Sequence, residues 1–340
     1  MNATMTFLLR PAAWAYGHVA ARRRQKIGRQ ARHLPRPVVS VGNITCGGTG
    51  KTPTVEMIAR DLAGEGVQPA ILSRGYGARR PQPASSARDS TAVNDEYAVL
   101  AANLPTVPHF QGKERYEQGL RAIESGADVL ILDDGFQHVQ LKRDLDFVLI
   151  DALSPFSNGH VLPAGLLREP LPALESADLF GITRGDLVAP TQLATLKSFL
   201  LRRFPGIDRV VLRTRALEWH DGCGAQWPVA ALEGRRTLAF CGLGHPEAFR
   251  LELERVGLDV MQFLCFRDHH RYTLGDLRKI ESMAAKLQVD EVVMTQKDAV
   301  KLPARVPFSN WKFLRIAQEV IEGEEIYRGA LKRLVLTPIS

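Results

Sequence analysis

The sequence predicts an α/β fold: a doubly wound parallel sheet of the P-loop NTPase type, with a second, smaller C-terminal α/β domain. Three observations predict it. Residues 38–41, 70–72, 129–132 and 147–150 are short, continuous apolar runs, the pattern of parallel strands buried on both faces. Helical stretches separate them, as the crossovers of a doubly wound sheet require. The first run feeds straight into a glycine-rich turn from Gly42 to Thr52, after which Pro53 opens a helix to about Leu62. A second set of strands, 237–241 and 292–295, follows a stretch loosened by Gly222, Gly224 and Pro228. The expected divisions are an N-terminal arm at 1–36, a P-loop domain at 37–225 and a smaller α/β domain at 226–340. Residues 78–90, rich in Arg, Pro, Ser and Ala, read as a mobile loop.

Composition narrows the classes. Of 340 residues, 45% are hydrophobic and 24% charged, values that exclude wholesale disorder and a many-pass membrane protein. Cys46, Cys223, Cys241 and Cys265 form no CxxC pair, so neither a disulfide framework nor a zinc site is indicated. The net charge of +7 is unevenly placed: nine basic residues precede the first acidic one, Glu56, and the rest carries 35 basic against 37 acidic. The body is near neutral, which argues against a nucleic-acid surface.

The arm has its own logic. Met5, Leu8, Leu9, Ala12, Tyr16 and Val19 follow helical spacing, Trp14 and Tyr16 suit a bilayer interface, and Arg22, Arg23 and Arg24 come next. Arg10 and Pro11 break the apolar stretch, leaving it shorter than the roughly 20 residues a spanning helix needs. The positive cluster follows the apolar run, the reverse of a secretory signal. The arm is expected to lie on an anionic cytoplasmic leaflet; packing on the body, or a nucleic-acid contact, are the other readings.

Strand, glycine-rich turn and helix form a recipe for holding nucleotide phosphates, with backbone N–H groups and a helix N-terminus turned inward. The loop residues are Thr45, Cys46, Gly47, Gly48, Thr49, Gly50, Lys51 and Thr52, with Thr45 where the usual pattern has glycine. Lys51 is placed to reach the β- and γ-phosphates and Thr52 to ligate Mg²⁺. Asp133 and Asp134 end an apolar run, one suited to magnesium and the other to orientation or catalysis; Asp134-Gly135 also fits a simple turn. Cys46 stands where partitioning-type ATPases carry a second lysine, and Thr295-Gln296-Lys297-Asp298 lacks the Asn of a guanine reader, so the site reads as an ATP site. Candidates for taking a hydroxyl proton are Asp95-Glu96, Arg115, Arg168-Glu169 and Asp268-His269-His270. On these residues alone a partner-driving ATPase or GTPase, a nucleotide-binding regulator and a soluble metabolite kinase all stay open.

Together, several strings closely resemble the tetraacyldisaccharide 4′-kinase family of lipid A biosynthesis. They are Val41 to Pro53; Ser73-Arg74-Gly75-Tyr76-Gly77; Asn94-Asp95-Glu96; Asp133-Asp134-Gly135-Phe136-Gln137-His138; and Leu162-Pro163-Ala164-Gly165 with Arg168-Glu169. Gly242-Leu243-Gly244-His245-Pro246, Asp268-His269 and Thr295-Gln296-Lys297-Asp298-Ala299-Val300-Lys301 complete the set, in family order. The resemblance implies transfer of the γ-phosphate of ATP, with Mg²⁺, to the 4′-hydroxyl of a tetraacylated disaccharide 1-phosphate at the cytoplasmic face of the bacterial inner membrane. It implies a site in a cleft between two domains, which closes on nucleotide. It makes Asp95 the general base and His269 its dyad partner, with Lys51 and Asp134 also catalytic and Thr52 and Asp133 at the metal. Arg74, Arg115, Gln137, Arg168 and Glu169 fall in the substrate-handling region. The expected partners are the lipid substrate and, through the arm, the membrane surface; no nucleic acid or obligate protein partner is expected. Tyr97 stands where the family more often has Pro, and Gln296 where Glu is commoner.

Overall fold

A computed structural model describes residues 3–75, 94–303 and 310–336, with side chains from residue 6. Tyr76, Gly77 and the loop expected at 78–90 lie outside the described residues. The strands are β1 (Val38–Gly42), β2 (Pro69–Ser73), β3 (His109–Gln111), β4 (Val129–Asp133), β5 (Leu145–Asp151), β6 (Leu179–Thr183), β7 (Asp208–His220), β8 (Gln226–Pro228), β9 (Arg236–Cys241), β10 (Asp259–Cys265), β11 (Glu291–Thr295) and β12 (Trp311–Glu322). The helices are α1 (Ala3–Gly28), α2 (Lys51–Gly64), α3 (Asp95–Asn103), α4 (Arg115–Glu124), α5 (Pro190–Arg203), α6 (Pro246–Arg255), α7 (Leu274–Leu287), α8 (Gln296–Ala299) and α9 (Glu324–Leu336).

The chain forms two compact units. One comprises Met1–Val93, Asn103–Arg213 and Gln318–Ser340, the other Asn94–Ala102 and Thr214–Ala317. This differs from a chain divided in sequence order near residue 226, because α9 belongs to the first unit and most of α3 to the second. Side-chain burial explains the return of α9: Tyr327 is 1% exposed, and its hydroxyl donates to Asp61 of α2 at 2.6 Å.

In the first unit the strand order is β7-β6-β5-β1-β4-β2-β3, and the ladders are parallel. β1, β2, β4, β5 and β6 are buried at every position, which is why they read as unbroken apolar runs. Leu130 and Leu132 pack with Val38, Leu72 and Ala122, whereas Val148 and Ile150 join Phe136, Phe180 and Leu200. Each such side chain contributes roughly 1.5–3 kcal/mol on burial. In the second unit β10, β9, β11 and β12 run parallel in that order, and β8 pairs with β7 antiparallel.

The close approach that shapes the phosphate loop sits at the end of β1. A Cβ on Gly42 would lie 2.5 Å from Phe136 Cβ and 2.6 Å from its backbone N, so nothing but glycine fits. Gly42→Ala is therefore expected to cost about 1–3 kcal/mol, read as a lower urea midpoint with unchanged slope.

Candidate active site

Gly50 takes a left-handed backbone (φ 86°) and caps α2, so Lys51 and Thr52 enter the helix at its first turn. Gly47, at φ 115°, makes the preceding bend. Thr45 holds a bridge to Leu167, and Cys46 N–H donates to Leu166 O at 2.7 Å, so this amide serves the loop's own anchoring. The hydroxyls of Thr49 and Thr52 are buried, and neither has a hydrogen-bond partner among the described residues. Buried hydroxyls without partners at a glycine-rich helix start fit phosphate and cation oxygens. Lys51 is 8% exposed, and its ammonium lies 3.4 Å from Asp134 Oδ1 and 3.3 Å from Asn43 Oδ1.

The β1–β4 register pairs Val41 with Asp133, which sets that carboxylate at the strand edge beside the loop. Asp134 follows in a left-handed conformation (φ 53°), a turn that Asp tolerates better than most residues. Arg168 Nη1 donates to both Asp134 oxygens at 2.9 Å. Burial raises the Asp134 carboxyl, but the Lys51 and Arg168 charges prevail and bring it down to about 2. Asp134 thus both makes the turn and pairs with Lys51 and Arg168. Gln137 braces the same cluster, donating to Asn43 O at 2.8 Å and accepting from Arg168 at 3.3 Å.

The remaining residues of the anticipated substrate group divide. Arg115 is buried at the start of α4 and donates to Asp133 O at 3.2 Å, while Arg74 is exposed at the end of β2. Burial, and then the charges of Arg115, Arg143 and Arg74, push the His138 imidazole down to about 4. Glu169 is 6% exposed and pairs with Arg24 of α1 at 2.8 Å. The Arg24 guanidinium also donates to Phe136 O at 3.0 Å and stacks 4.2 Å from the Phe136 ring. Glu169 is thus the anchor of α1 in this structure.

The second unit carries the Asp-His pair. Asp95 begins α3, where the helix N-terminus favours a carboxylate. His269, at φ 56°, presents Nδ1 at 2.9 Å from Asp95 Oδ2 and 3.1 Å from Oδ1. Burial raises the Asp95 carboxyl, yet the His269 hydrogen bond and charge leave it below its ordinary value, and the same bond raises His269.

A family model described as tetraacyldisaccharide-1-P 4′-kinase (LpxK) covers residues 5–335. The chain belongs to this family. A tetraacyldisaccharide 4′-kinase from Syntrophus aciditrophicus is 43% identical over 286 residues, spanning 79% of this chain and 76% of that protein. One from Anaeromyxobacter dehalogenans is 41% identical over 306 residues, spanning 87% and 81%. The crystal structure of LpxK from Aquifex aeolicus in complex with ATP has a TM-score of 0.75 at 28% identity, covering 97% of this chain and 99% of that one. The LpxK family fold is thus the α/β, P-loop kinase architecture read from the sequence.

Within this chain, sequence reasoning passed over three groups. Asn43, quoted only as part of a string, turns its amide onto Thr45 and its oxygen to Lys51. Arg184, at φ 57°, pairs with buried Asp151 and donates to Gly48 O at 2.7 Å, so it props the phosphate loop. Arg24 looked like one more charge in a basic run. Arg24 and Arg184 had no signal, because each role depends on a partner distant in sequence; the Asn43 partners, Thr45 and Lys51, lie within the loop itself.

The Asp95–His269 pair gives a signed pH dependence. The lowered Asp95 contributes stability above its ordinary 3.8, lost as pH falls through its folded value. The raised His269 contributes below its ordinary 6.5, lost as pH rises through its folded value. His269→Gln should therefore lower the urea midpoint at about pH 5.5 and lower it less at about pH 9. Equal losses at the two pH values would contradict the ion pair.

Proposed function

We infer that this chain transfers the γ-phosphate of ATP to the 4′-hydroxyl of a tetraacyldisaccharide 1-phosphate, in lipid A biosynthesis. The observation that carries the reading is a phosphate loop in one unit together with a buried aspartate hydrogen-bonded to an exposed histidine in the other, in a member of the 4′-kinase family. In the reaction the 4′-oxygen bonds to the γ-phosphorus, the bond to the β–γ bridging oxygen breaks, and the hydroxyl proton leaves. Asp95 accepts that proton. Its low basicity suits a loose transition state, in which the hydroxyl becomes acidic only as the new bond forms. His269 holds the carboxylate in its accepting orientation. Lys51 and the loop amides take the β/γ charge, and Asp134 keeps the Lys51 ammonium at the phosphate end.

Thr52 and Asp133 would hold Mg²⁺. The buried, unsatisfied Thr52 hydroxyl fits that role, and no group of three or more His, Cys, Asp or Glu able to hold a metal occurs among the described residues. When bound, such a cation would supply neutralisation of the phosphate charge that develops during transfer. The Arg74, Arg115 and Arg168 charges suit the anionic groups of nucleotide and lipid.

The arm is the membrane contact in this reading, at the cytoplasmic face of the inner membrane. No described helix is long and apolar enough to cross a membrane. Along α1, Thr6, Leu9, Ala13, Gly17, Ala20, Arg24 and Ile27 are the less exposed positions. Phe7, Leu8, Trp14 and Val19 are 66–72% exposed and Tyr16 is 40% exposed, so four residues of the anticipated stripe (Leu8, Ala12, Tyr16 and Val19) face outward. Arg22, Arg23, Lys26 and Arg29 are exposed as well, and each contributes about 1 kcal/mol near an anionic surface.

Two assays test this. Labelled γ-phosphate from ATP should appear on disaccharide 1-phosphate lipid in detergent micelles; Asp95→Asn should cut turnover by about 10²–10⁴-fold and Lys51→Ala should cripple it. Steady ATP hydrolysis with unlabelled lipid would sink the kinase reading. Phe7→Ser with Trp14→Ser should release the protein from phosphatidylglycerol vesicles on sedimentation, whereas vesicle binding equal to wild type would remove the arm's proposed role.

A further inference from the structure

The segment Thr295 to Lys301 has no role in the reaction as described, yet its side chains converge on the base. Asp298 is fully buried, and its Oδ1 accepts from Gly242 N at 3.0 Å and from the Tyr272 hydroxyl at 2.9 Å. Its Oδ2 accepts from the Thr295 hydroxyl at 2.6 Å. The Lys301 ammonium lies 2.9 Å from Asp298 Oδ1 and 3.9 Å from Asp95 Oδ2, over the Tyr272 ring at 5.5 Å, with its side chain 11% exposed. One turn earlier, Lys297 pairs with Glu96 at 3.0 Å. Two lysines four apart, hence on one face, thus meet the two successive carboxylates that open α3.

We propose that Lys301 is a positioning residue for phosphoryl transfer: seated between Asp298 and Asp95, its ammonium keeps the Asp95 carboxylate ionised and aimed at the acceptor hydroxyl. The inference rests on Asp95 being the base. His269 and the Glu96 amide already donate to Asp95, the latter to Oδ1 at 3.0 Å. At 3.9 Å Lys301 acts through its field and leaves a lone pair on Oδ2 for the incoming proton. The groups facing Asp95 are His269 from the loop before α7, Lys301 and Lys297 from the α8 segment, and Glu96 of its own helix; Asp268 stands 3.9 Å from His269 Nε2. Without Lys301, buried Asp298 would keep only neutral donors, and Asp95 would keep His269 and the more distant Lys297 charge. The Lys301 charge therefore opposes protonation of both Asp95 and His269.

The test compares full-length wild type with Lys301→Met, Lys301→Arg and the double variant Lys301→Met with Asp298→Asn. The double variant removes both charges and so protects folding if Lys301→Met alone strands Asp298. Lipid phosphorylation is followed beside the NMR titration of ¹³C-labelled His269, identified by its loss in His269→Gln. Lys301→Met and the double variant should lose about ten- to a hundredfold in kcat, with the KM for ATP within about twofold of wild type. The His269 titration should move to higher pH, and Lys301→Arg should restore most of the rate. A wild-type kcat or an unmoved His269 titration in both charge-removing variants overturns the proposal. Full activity in Asp95→Asn would instead overturn the base assignment beneath it.

Discussion

A lysine ammonium buried to 8% exposure is the constraint on which the phosphate site depends. An unpaired ammonium there would carry a large desolvation cost, so the chain must supply partners. Asn43 and Asp134 do so, and each is held in turn. Arg168 grips both Asp134 oxygens, Gln137 joins Arg168 to the Asn43 carbonyl, and Arg115 ties down the end of β4. The left-handed Asp134 and the glycine at position 42 are backbone conditions of the same arrangement. With its charges already oriented, the site needs little reorganisation when nucleotide phosphates arrive.

The Asp95–His269 pair works under the opposite condition. His269 keeps 58% of its side chain exposed while Asp95 is almost wholly buried, so solvent reaches the histidine and the protein's own charges govern the carboxylate. A cationic surround holds the Asp95 carboxylate below its ordinary value, which suits the proposed role of a base in a transfer whose proton departs late. Orientation is then worth more than basicity. In the proposed role, the hydrogen bonds to Asp95 and the ion pair to Lys301 serve orientation.

Helix α1 inverts the usual amphipathic rule. Its small residues, Ala13 and Gly17, turn inward, where a Cβ on Gly17 would meet Pro170 and Val161 at 3.4 Å. Phe7, Leu8, Trp14 and Val19 turn outward. Close approach through small residues, locked by the Arg24–Glu169 pair, explains how a helix can dock firmly while most of its apolar surface stays exposed. Arg24 shares Phe136 with Gly42, so the docking of this helix and the shape of the phosphate loop rest on one aromatic ring.

The sequence by itself determined the strands that are buried on both faces, the phosphate loop and the order of the motifs, because those signals are local: apolar runs, glycines at a turn, carboxylates at a strand end. It was blind to β6, where Gly181 interrupts the run because a Cβ would strike Phe147 and Leu149, and to β7 and β12, whose charged residues hide their buried positions. Lys312 in β12 reads as a surface charge, yet it is 5% exposed, paired with Glu291 and stacked over Trp227. Only the tertiary structure decided that α9 joins the first unit and that Glu169 anchors a helix. It also decided that Arg184 supports the loop and that Lys301 stands beside Asp95. The physical reason is common to all of these. A buried charge is tolerable only beside its partner, and each of these partners lies far away in the chain.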